Sequence, residues 1–325
     1  MQRGGTKIRE PRLASEAGRS IRPESTIDAS ITDAVAAEIA RQMRLSVTTS
    51  RSPALAAAVQ RVMSRHGITD PQRLRDRIAA DGALREEVLN EATVRETHFF
   101  RDSKQFELLR HTILPRLCRR RAGAPARIWS AGCASGEEPY SLAILCAEDG
   151  YPARISASDI SIRAIAEAVE AEYGEWSLRD TGEYLKRRYF LQCGDRYRLR
   201  TDVARSVRFT RLNLGFDTLP APDRGLAGFD LILCRNVLVY LDAADLMRVA
   251  EELFTCLAEG GWLLTAPTDP PLWKYASFQT ATTGAGLVYR KPMHVARQAG
   301  AERVFPTDAS RATGNEARHP KENSR

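Results

Sequence analysis

No stretch of the sequence approaches the ~20 consecutive apolar residues that a membrane-spanning helix requires, and the N-terminal MQRGGTKIREPRLASEAG lacks the apolar core of a secretory signal. No CxxC pair occurs either. The six cysteines (Cys118, Cys133, Cys146, Cys193, Cys234 and Cys256) are scattered, several of them inside apolar runs. That pattern predicts buried free thiols in a reducing cytosol rather than disulfides or a zinc centre. The absences together predict a cytoplasmic protein without a metal site. Nor is there a long block of like charges. A net charge of +7 and a pI of about 9.2 come mostly from arginines spread along the chain, which reads as a solvated basic surface, with nucleic acid the weaker alternative. The G-x-G-x-x-G fingerprint of dinucleotide sites is missing too.

What is present is enough apolar sequence for a sizeable core: 325 residues, 43% hydrophobic, room for one large domain or two ordinary ones. Residues 1–31 and 293–325 carry no apolar periodicity and read as disordered. Residues 32–94 read as a compact helical bundle. Within it, ITDAVAAEIARQMRLSV is apolar at helical spacing, and SPALAAAVQRVMSRHG offers Ser52 as N-cap, Pro53 at the first helical position and Gly67 as a stop. DPQRLRDRIAADG and ALREEVLNEATV continue the pattern. After the amphipathic QFELLRHTILPRLCRRR the texture changes. The short apolar runs ARIWSAG, RISASDI, FDLILCRN and GWLLTAP alternate with helical stretches such as IRAIAEAVEAEYG and DAADLMRVAEELFTCLAEGG. Such alternation predicts a parallel sheet covered on both faces. Residues from about 185 to 213 break the alternation with short polar-apolar strands around Gly194-Asp195, a β insertion.

In an open α/β sheet the ligand lies at the carboxyl ends of the strands. The first strand, ARIWSAG, ends at Gly132, and Cys133-Ala134-Ser135-Gly136 leads to a helix starting near Pro139. Small residues there let the backbone approach a ligand closely. Glu137 and Glu138 complement the helix dipole, which by itself explains at least one of them. Asp159, about 20 residues further on at the end of RISASDI, is placed to accept hydrogen bonds from ribose hydroxyls, or else to cap the next helix. A pyrophosphate at this helix start would meet two carboxylates. S-adenosylmethionine carries a sulfonium, an ammonium, a carboxylate and an adenosine but no phosphate, so the acids favour it over NAD.

Four segments, RETHFFRD (95–102), WSAGCASGEEPYSLA (129–143), ASDIS (157–161) and CRNVLVYLD (234–242), with RLNL (211–214) between the last two, stand in an order that resembles the CheR-type chemoreceptor glutamate methyltransferases. The resemblance spans about residues 33–291. It implies an α/β fold: a Rossmann-like methyltransferase sheet over 105–292 with a small antiparallel β insertion, preceded by an all-helical N-terminal domain over 32–94 and a linker, 95–104, carrying a T-x-F-F-R motif. QTATTGAGLVYRKP would supply the closing antiparallel hairpin. By the same resemblance the cofactor is S-adenosylmethionine, held by Thr97, Arg101, Gly132, Glu138, Asp159, Asn213, Leu214 and Asn236. Arg101 would reach the methionine end, where a guanidinium fork suits a carboxylate. Asp159 would hold the ribose, and Asn213 and Leu214 would lie on the adenine side. Tyr240 would stand by the transferring methyl.

The reaction so implied is attack by a glutamate carboxylate of a chemoreceptor-like protein on the sulfonium methyl. A glutamate with a pKa near ~4.3 is already ionised at pH 7 and needs no general base. No His, Lys or Asp pairing in the sequence asks to be one, and His98 carries no assigned role. Arg235 and Tyr240 are the expected catalytic residues, orienting the incoming carboxylate. Two alternatives stand beside this reading: methylation of nucleic-acid amino groups, for which the Asp269-Pro270-Pro271 run follows the wrong strand, and a binding module that methylates nothing. Arg95 replaces a common Asn, a departure that bears on a cofactor contact there. Three further departures from the family bear on the partner: the basic face formed by Arg51, Arg61, Arg65 and His66 is thin, the β insertion is short at QCGDRY, and APTDPPLWKYASF stands where a Ser/Gly-His-Ser-Glu pattern is expected.

Overall fold

The computed structural model describes residues 36–38, 40, 53–92 and 96–293. The two terminal segments expected to be disordered fall outside these residues, apart from Met293, as do Arg51, the Ser52 cap and Arg95. Residues 36–38 and 40 are helical. Helices α1 (Pro53–Arg65), α2 (Pro71–Ala80) and α3 (Gly82–Ala92) pack around a core that includes Leu55, Val59, Met63, Leu74, Ile78 and Val88. Helix α2 is capped: Pro71 opens it and the Asp70 carboxylate accepts from Gln72 N at 2.9 Å. The described residues of the thin basic face are all paired with carboxylates of α3. Arg61 pairs with Glu91 at 2.9 Å, Arg65 with Glu87 and Glu91, and His66 with Glu87 at 2.7 Å.

Helix α4 (Ser103–Leu108) runs through a π turn at Leu109–Ile113 into α5 (Leu114–Arg120) and leads to the sheet. Its strands are β1 (Ala126–Ala131), β2 (Ala153–Asp159), β6 (Val207–Arg211), β7 (Phe229–Leu233), β8 (Leu257–Leu264), β9 (Gln279–Thr283) and β10 (Gly286–Arg290), in the order β6-β2-β1-β7-β8-β10-β9. The first five in that order are parallel, and β10 joins β8 and β9 antiparallel. Two core clusters cover the sheet, one drawing on α6 (Glu137–Glu148) and the other on α10 (Ala243–Cys256). That cover is why all five residues of β7 are buried without alternation. The chain leaves β1 toward β2 on one side and returns as β7 on the other. A crevice therefore opens at the carboxyl ends of β1 and β7, where the helices diverge. No described helix is long and apolar enough to cross a membrane.

Three boundaries differ from the sequence reading. The helix expected to run through Gly174 is α7 (Ile162–Glu170), because Ala171 takes a left-handed φ of +52° and the chain turns into strand β3 (Glu172–Gly174). The insertion is a three-stranded antiparallel sheet of β3, β4 (Phe190–Cys193) and β5 (Arg196–Leu199), fed by α8 (Glu183–Tyr189). It does not extend to residue 213: after the short α9 (Thr201–Ala204), Val207–Arg211 is the edge strand of the main sheet, in parallel register with Ile155–Asp159. Its polar-apolar alternation suits a half-covered edge as well as a hairpin, so the pattern does not separate the two. Likewise α10 stops at Cys256, and Leu257–Gly260 belongs to β8.

The small sheet holds the 96–102 segment in place. Phe99 is fully buried, with its ring edge-on to Tyr173 at 4.8 Å and to Phe190 at 5.0 Å, and its N–H donates to the Ser177 carbonyl at 2.9 Å. Phe99→Ala is expected to cost about 3–5 kcal/mol of unfolding free energy. Urea denaturation checks this, and a loss below ~1 kcal/mol would show that the ring pins nothing.

Candidate active site

The loop after β1 is built from residues that only a small side chain or none permits. Gly132 has φ +80°, and a Cβ there would lie 2.2 Å from Val237 Cγ2. Gly136 has φ +94°, and a Cβ would meet Ala168 Cβ at 2.9 Å. Between them Ala134 holds φ +46°. The loop is tied across to β2: Gly132 N and Cys133 N both donate to the Ser158 carbonyl, at 2.7 and 2.9 Å, and Ala134 N donates to Asp159 Oδ2 at 2.9 Å. Asp159 does not cap α7. Ser161 does, accepting from Ala164 N at 3.0 Å, while Asp159 Oδ1 accepts from Ser161 N.

The two acids that follow separate at once. Glu137 is 2% exposed and accepts from Ser135 Oγ at 2.9 Å and Ser177 Oγ at 3.0 Å, away from the crevice. Glu138 lines a cavity of about 240 Å³ at the carboxyl ends of β1 and β7. Its carboxylate accepts from Ser130 Oγ at 2.6 Å and from Arg235 Nη1 at 2.9 Å.

Of the other expected site residues, Thr97, Arg101, Gly132, Arg235, Asn236 and Tyr240 line the same cavity. Asp159, Asn213 and Leu214 do not line it: Asp159 ends β2 and accepts from Ala134 N of the wall, and Asn213 and Leu214 follow β6 at the edge of the sheet. Asn213 holds a turn there, its N–H donating to Asp217 and its Oδ1 accepting from Gly215 N at 2.9 Å, and Leu214 is buried in the core. Arg235 meets a different geometry from the one expected of it. Its side chain is 2% exposed, and besides Glu138 it donates to the Arg101 carbonyl at 2.8 Å and to the Asp102 carboxylate. Through Nη1 and Nη2, Arg235 holds Glu138 and the 96–102 segment together, while its buried Nε has no partner.

Sequence reasoning missed Asp269. The run after β8 reads in the sequence as a misplaced base-methylation motif and as a departure from the family pattern, neither of which gives Asp269 a role. In the structure Asp269 Oδ2 accepts from Asn236 N and Ala266 N, both at 2.8 Å, clamping the exits of β7 and β8 together. Asn236 is held there at φ +58°. A proline-flanked acid just past a strand is the signal that points to such a clamp. His98, left unassigned, is structural: Nε2 faces Asp180 at 2.9 Å and Nδ1 faces Arg179 at 2.6 Å, and burial with the Arg179 charge lowers its pKa.

The cavity suits a ligand with a cationic end and a carboxylate. Glu138 offers an anion, Arg101 gives one donor to the Glu96 carbonyl at 2.5 Å and has others to spare, and the Gly132 wall allows close approach. Burial pushes the Tyr240 hydroxyl up from its ordinary value, so it stays protonated and a donor. Burial also raises the Glu137 carboxyl. An acid with a raised folded pKa binds its proton more tightly in the folded state, so its contribution to stability falls as pH rises from the ordinary carboxylate range through the raised value. The melting temperature of Glu137→Gln should therefore gain on that of the unsubstituted protein as pH rises above the ordinary carboxylate value of ~4.3. Parallel curves would refute the shift.

Comparison with known proteins follows the geometry. Residues 95–269 match the family described as CheR methyltransferase, SAM binding domain. A chemotaxis protein methyltransferase of Borreliella burgdorferi is 35% identical over 193 residues, covering 56% of this chain and 67% of that one. The chemotaxis protein methyltransferase 2 of Vibrio cholerae is 34% identical over 221 residues, covering 65% and 76%. A probable biofilm formation methyltransferase, WspC, of Pseudomonas aeruginosa is 29% identical over 258 residues, covering 78% and 60%. The match embraces the T-x-F-F-R segment, the β1 loop and its acids, Asp159 and the Arg235-to-Tyr240 exit of β7, and the chain belongs to the CheR methyltransferase family, S-adenosylmethionine-dependent methyltransferases.

Proposed function

We propose that the protein transfers the methyl group of S-adenosylmethionine to a glutamate carboxylate of a chemoreceptor-like signalling protein, forming a γ-glutamyl methyl ester. The observation that carries this reading is a cofactor cavity without a general base. No lining residue is a histidine or a lysine. Its carboxylates are Glu138, occupied by Ser130 and Arg235, and Glu96 at the exposed rim. Burial raises the Cys133 thiol well above its ordinary value and keeps it inert. An amine or a hydroxyl acceptor would need a proton removed; a glutamate with a pKa near ~4.3 would not.

The bound cofactor supplies an electrophilic methyl carbon on a positively charged sulfur. Arg101 is assigned to its carboxylate, Glu138 to its ammonium, Asp159 to the ribose, and Asn213 with Leu214 to the adenine side. Thr97, Gly132 and Asn236 complete the walls. The glutamate oxygen bonds to the methyl carbon as the carbon–sulfur bond breaks and its electron pair goes to sulfur, and no proton moves. The chain's contribution is alignment and electrostatics. Tyr240, a protonated donor on the cavity wall, is the residue suited to orient the incoming carboxylate.

The relatives named for chemotaxis support a chemoreceptor as acceptor. A second reading, an acceptor in another signalling system, is favoured by the relative named for biofilm formation and by the ion-paired basic face of α1. Incubation with methyl-labelled cofactor and a receptor signalling fragment should leave label on the protein that alkali releases. Alkali-stable label or none on any protein acceptor would sink the proposal. Tyr240→Phe should lower kcat about tenfold, the contribution of one hydrogen bond to a charged group, while the Kd for S-adenosylhomocysteine stays put. An unchanged kcat removes Tyr240 from the reaction.

A further inference from the structure

Helix α3 shows two different faces. Glu87 and Glu91 turn to the arginines of α1, whereas Glu86 and Asn90, four residues apart and so on one side of the helix, turn to the loops at the carboxyl ends of β2 and β6. Asn90 Oδ1 accepts from Ser161 Oγ at 2.6 Å. Ser161 is fully buried, and its N–H donates at 2.9 Å to Asp159 Oδ1. The other oxygen of Asp159 accepts from Ala134 N at 2.9 Å, in the left-handed loop that walls the cavity. A continuous chain of hydrogen bonds thus runs from the helical bundle to the cofactor loop. Beside it, Glu86 pairs with Arg211, the last residue of β6, two positions before Asn213. Arg211 Nε reaches the Ile160 carbonyl at 3.4 Å, and the Ile160 side chain packs against the core of the bundle. One helix therefore fastens both loops, the one that carries Asp159 and the one that carries Asn213 and Leu214.

We propose that Asn90 and Glu86 are positioning residues for the adenosine half of the cofactor site, so that the helical bundle sets cofactor affinity without touching the cofactor. The proposal rests on the assignment of Asp159, Asn213 and Leu214 to adenosine. Neither residue reaches the reacting atoms; each acts by holding a loop whose backbone and carboxylate are already aimed. Turnover at saturating cofactor is therefore spared while binding is not. Asn90→Leu removes the acceptor for Ser161, and Asn90→Asp keeps one. Glu86→Arg sets two cations against each other, and adding Arg211→Glu restores the pair with its sign reversed.

The test is calorimetric titration of the full chain with S-adenosylhomocysteine, together with kcat at saturating S-adenosylmethionine. Asn90→Leu and Glu86→Arg should each raise Kd about fivefold, what a lost hydrogen bond, or a half-exposed ion pair replaced by a repulsive one, contributes, with kcat within about twofold. Asn90→Asp and the Glu86→Arg/Arg211→Glu double variant should bind like the unsubstituted protein. An unchanged Kd in both single variants, with Asp159→Ala still weakening binding, overturns the proposal alone. An unchanged Kd in Asp159→Ala overturns the adenosine assignment beneath it. Should Asn90→Leu fail to fold, the charge-reversed pair decides: a Kd that does not recover there overturns the coupling.

Discussion

The guanidinium of Arg235 is the point at which three parts of the chain distant in sequence meet. It lies at the exit of β7, it holds Glu138 from the first turn of α6, and it bonds both the Arg101 carbonyl and the Asp102 carboxylate of the segment that enters α4. At 2% side-chain exposure it is an expensive charge to bury, tolerable only because anionic and carbonyl acceptors surround it. Removing either carboxylate would leave it under-compensated; removing the arginine would leave Glu138 facing the cavity with only the Ser130 hydroxyl. The arrangement specifies geometry more than it adds stability. The 96–102 segment closes the site only if it reaches Arg235, and it reaches Arg235 only if Phe99 is seated between Tyr173 and Phe190. The small β sheet, remote from the chemistry by sequence, is thus a support for the cofactor cavity.

Much of this was legible in the sequence, for definite reasons. The central strands are continuous apolar runs because both their faces are covered, and such runs separated by amphipathic helices have few readings other than a parallel sheet. Pro53 and Gly67 mark helix ends by steric and hydrogen-bonding rules that tertiary context seldom overrides. The loop at Gly132 betrayed itself by smallness, and its acids by their clash with a phosphate. The division between Glu137 and Glu138 was sharper still: one turns into the core and the other onto the cavity.

The rest was not legible because it depends on what lies across space. Glu172–Gly174 continues a helical pattern, and only the left-handed Ala171 ends it. Val207–Arg211 alternates like a hairpin strand, and its membership of the main sheet is settled by its pairing with Ile155–Asp159. Arg235 looked like a free cation near a reaction centre. Its burial and its two carboxylate partners come from residues 97 and 133 positions away. Asp269 belonged to a motif weighed for the wrong chemistry, and its use as a backbone acceptor is visible only once β7 and β8 are neighbours.

Backbone strain at the site follows one rule. Of the non-glycine residues with positive φ, Phe100 (+58°), Asp102 (+64°), Ala134 (+46°) and Asn236 (+58°) all belong to the cavity wall or to the segment that closes it. Each such residue costs of order 1–3 kcal/mol and survives only where its surroundings over-determine it. Here each is fixed by a hydrogen bond to a side chain: Phe100 N to Ser141 Oγ, the Asp102 carboxylate to Arg235, Ala134 N to Asp159 and Asn236 N to Asp269. A reaction that needs no proton moved has little to gain from a tuned acid or base and much to gain from a fixed angle of approach. The chain has put its strain, its buried charges and its clamps into that angle. This is why so many site residues act on backbone groups and on one another, and why the perturbed groups of the cavity wall, the Cys133 thiol and the Tyr240 hydroxyl, are raised by burial and held protonated.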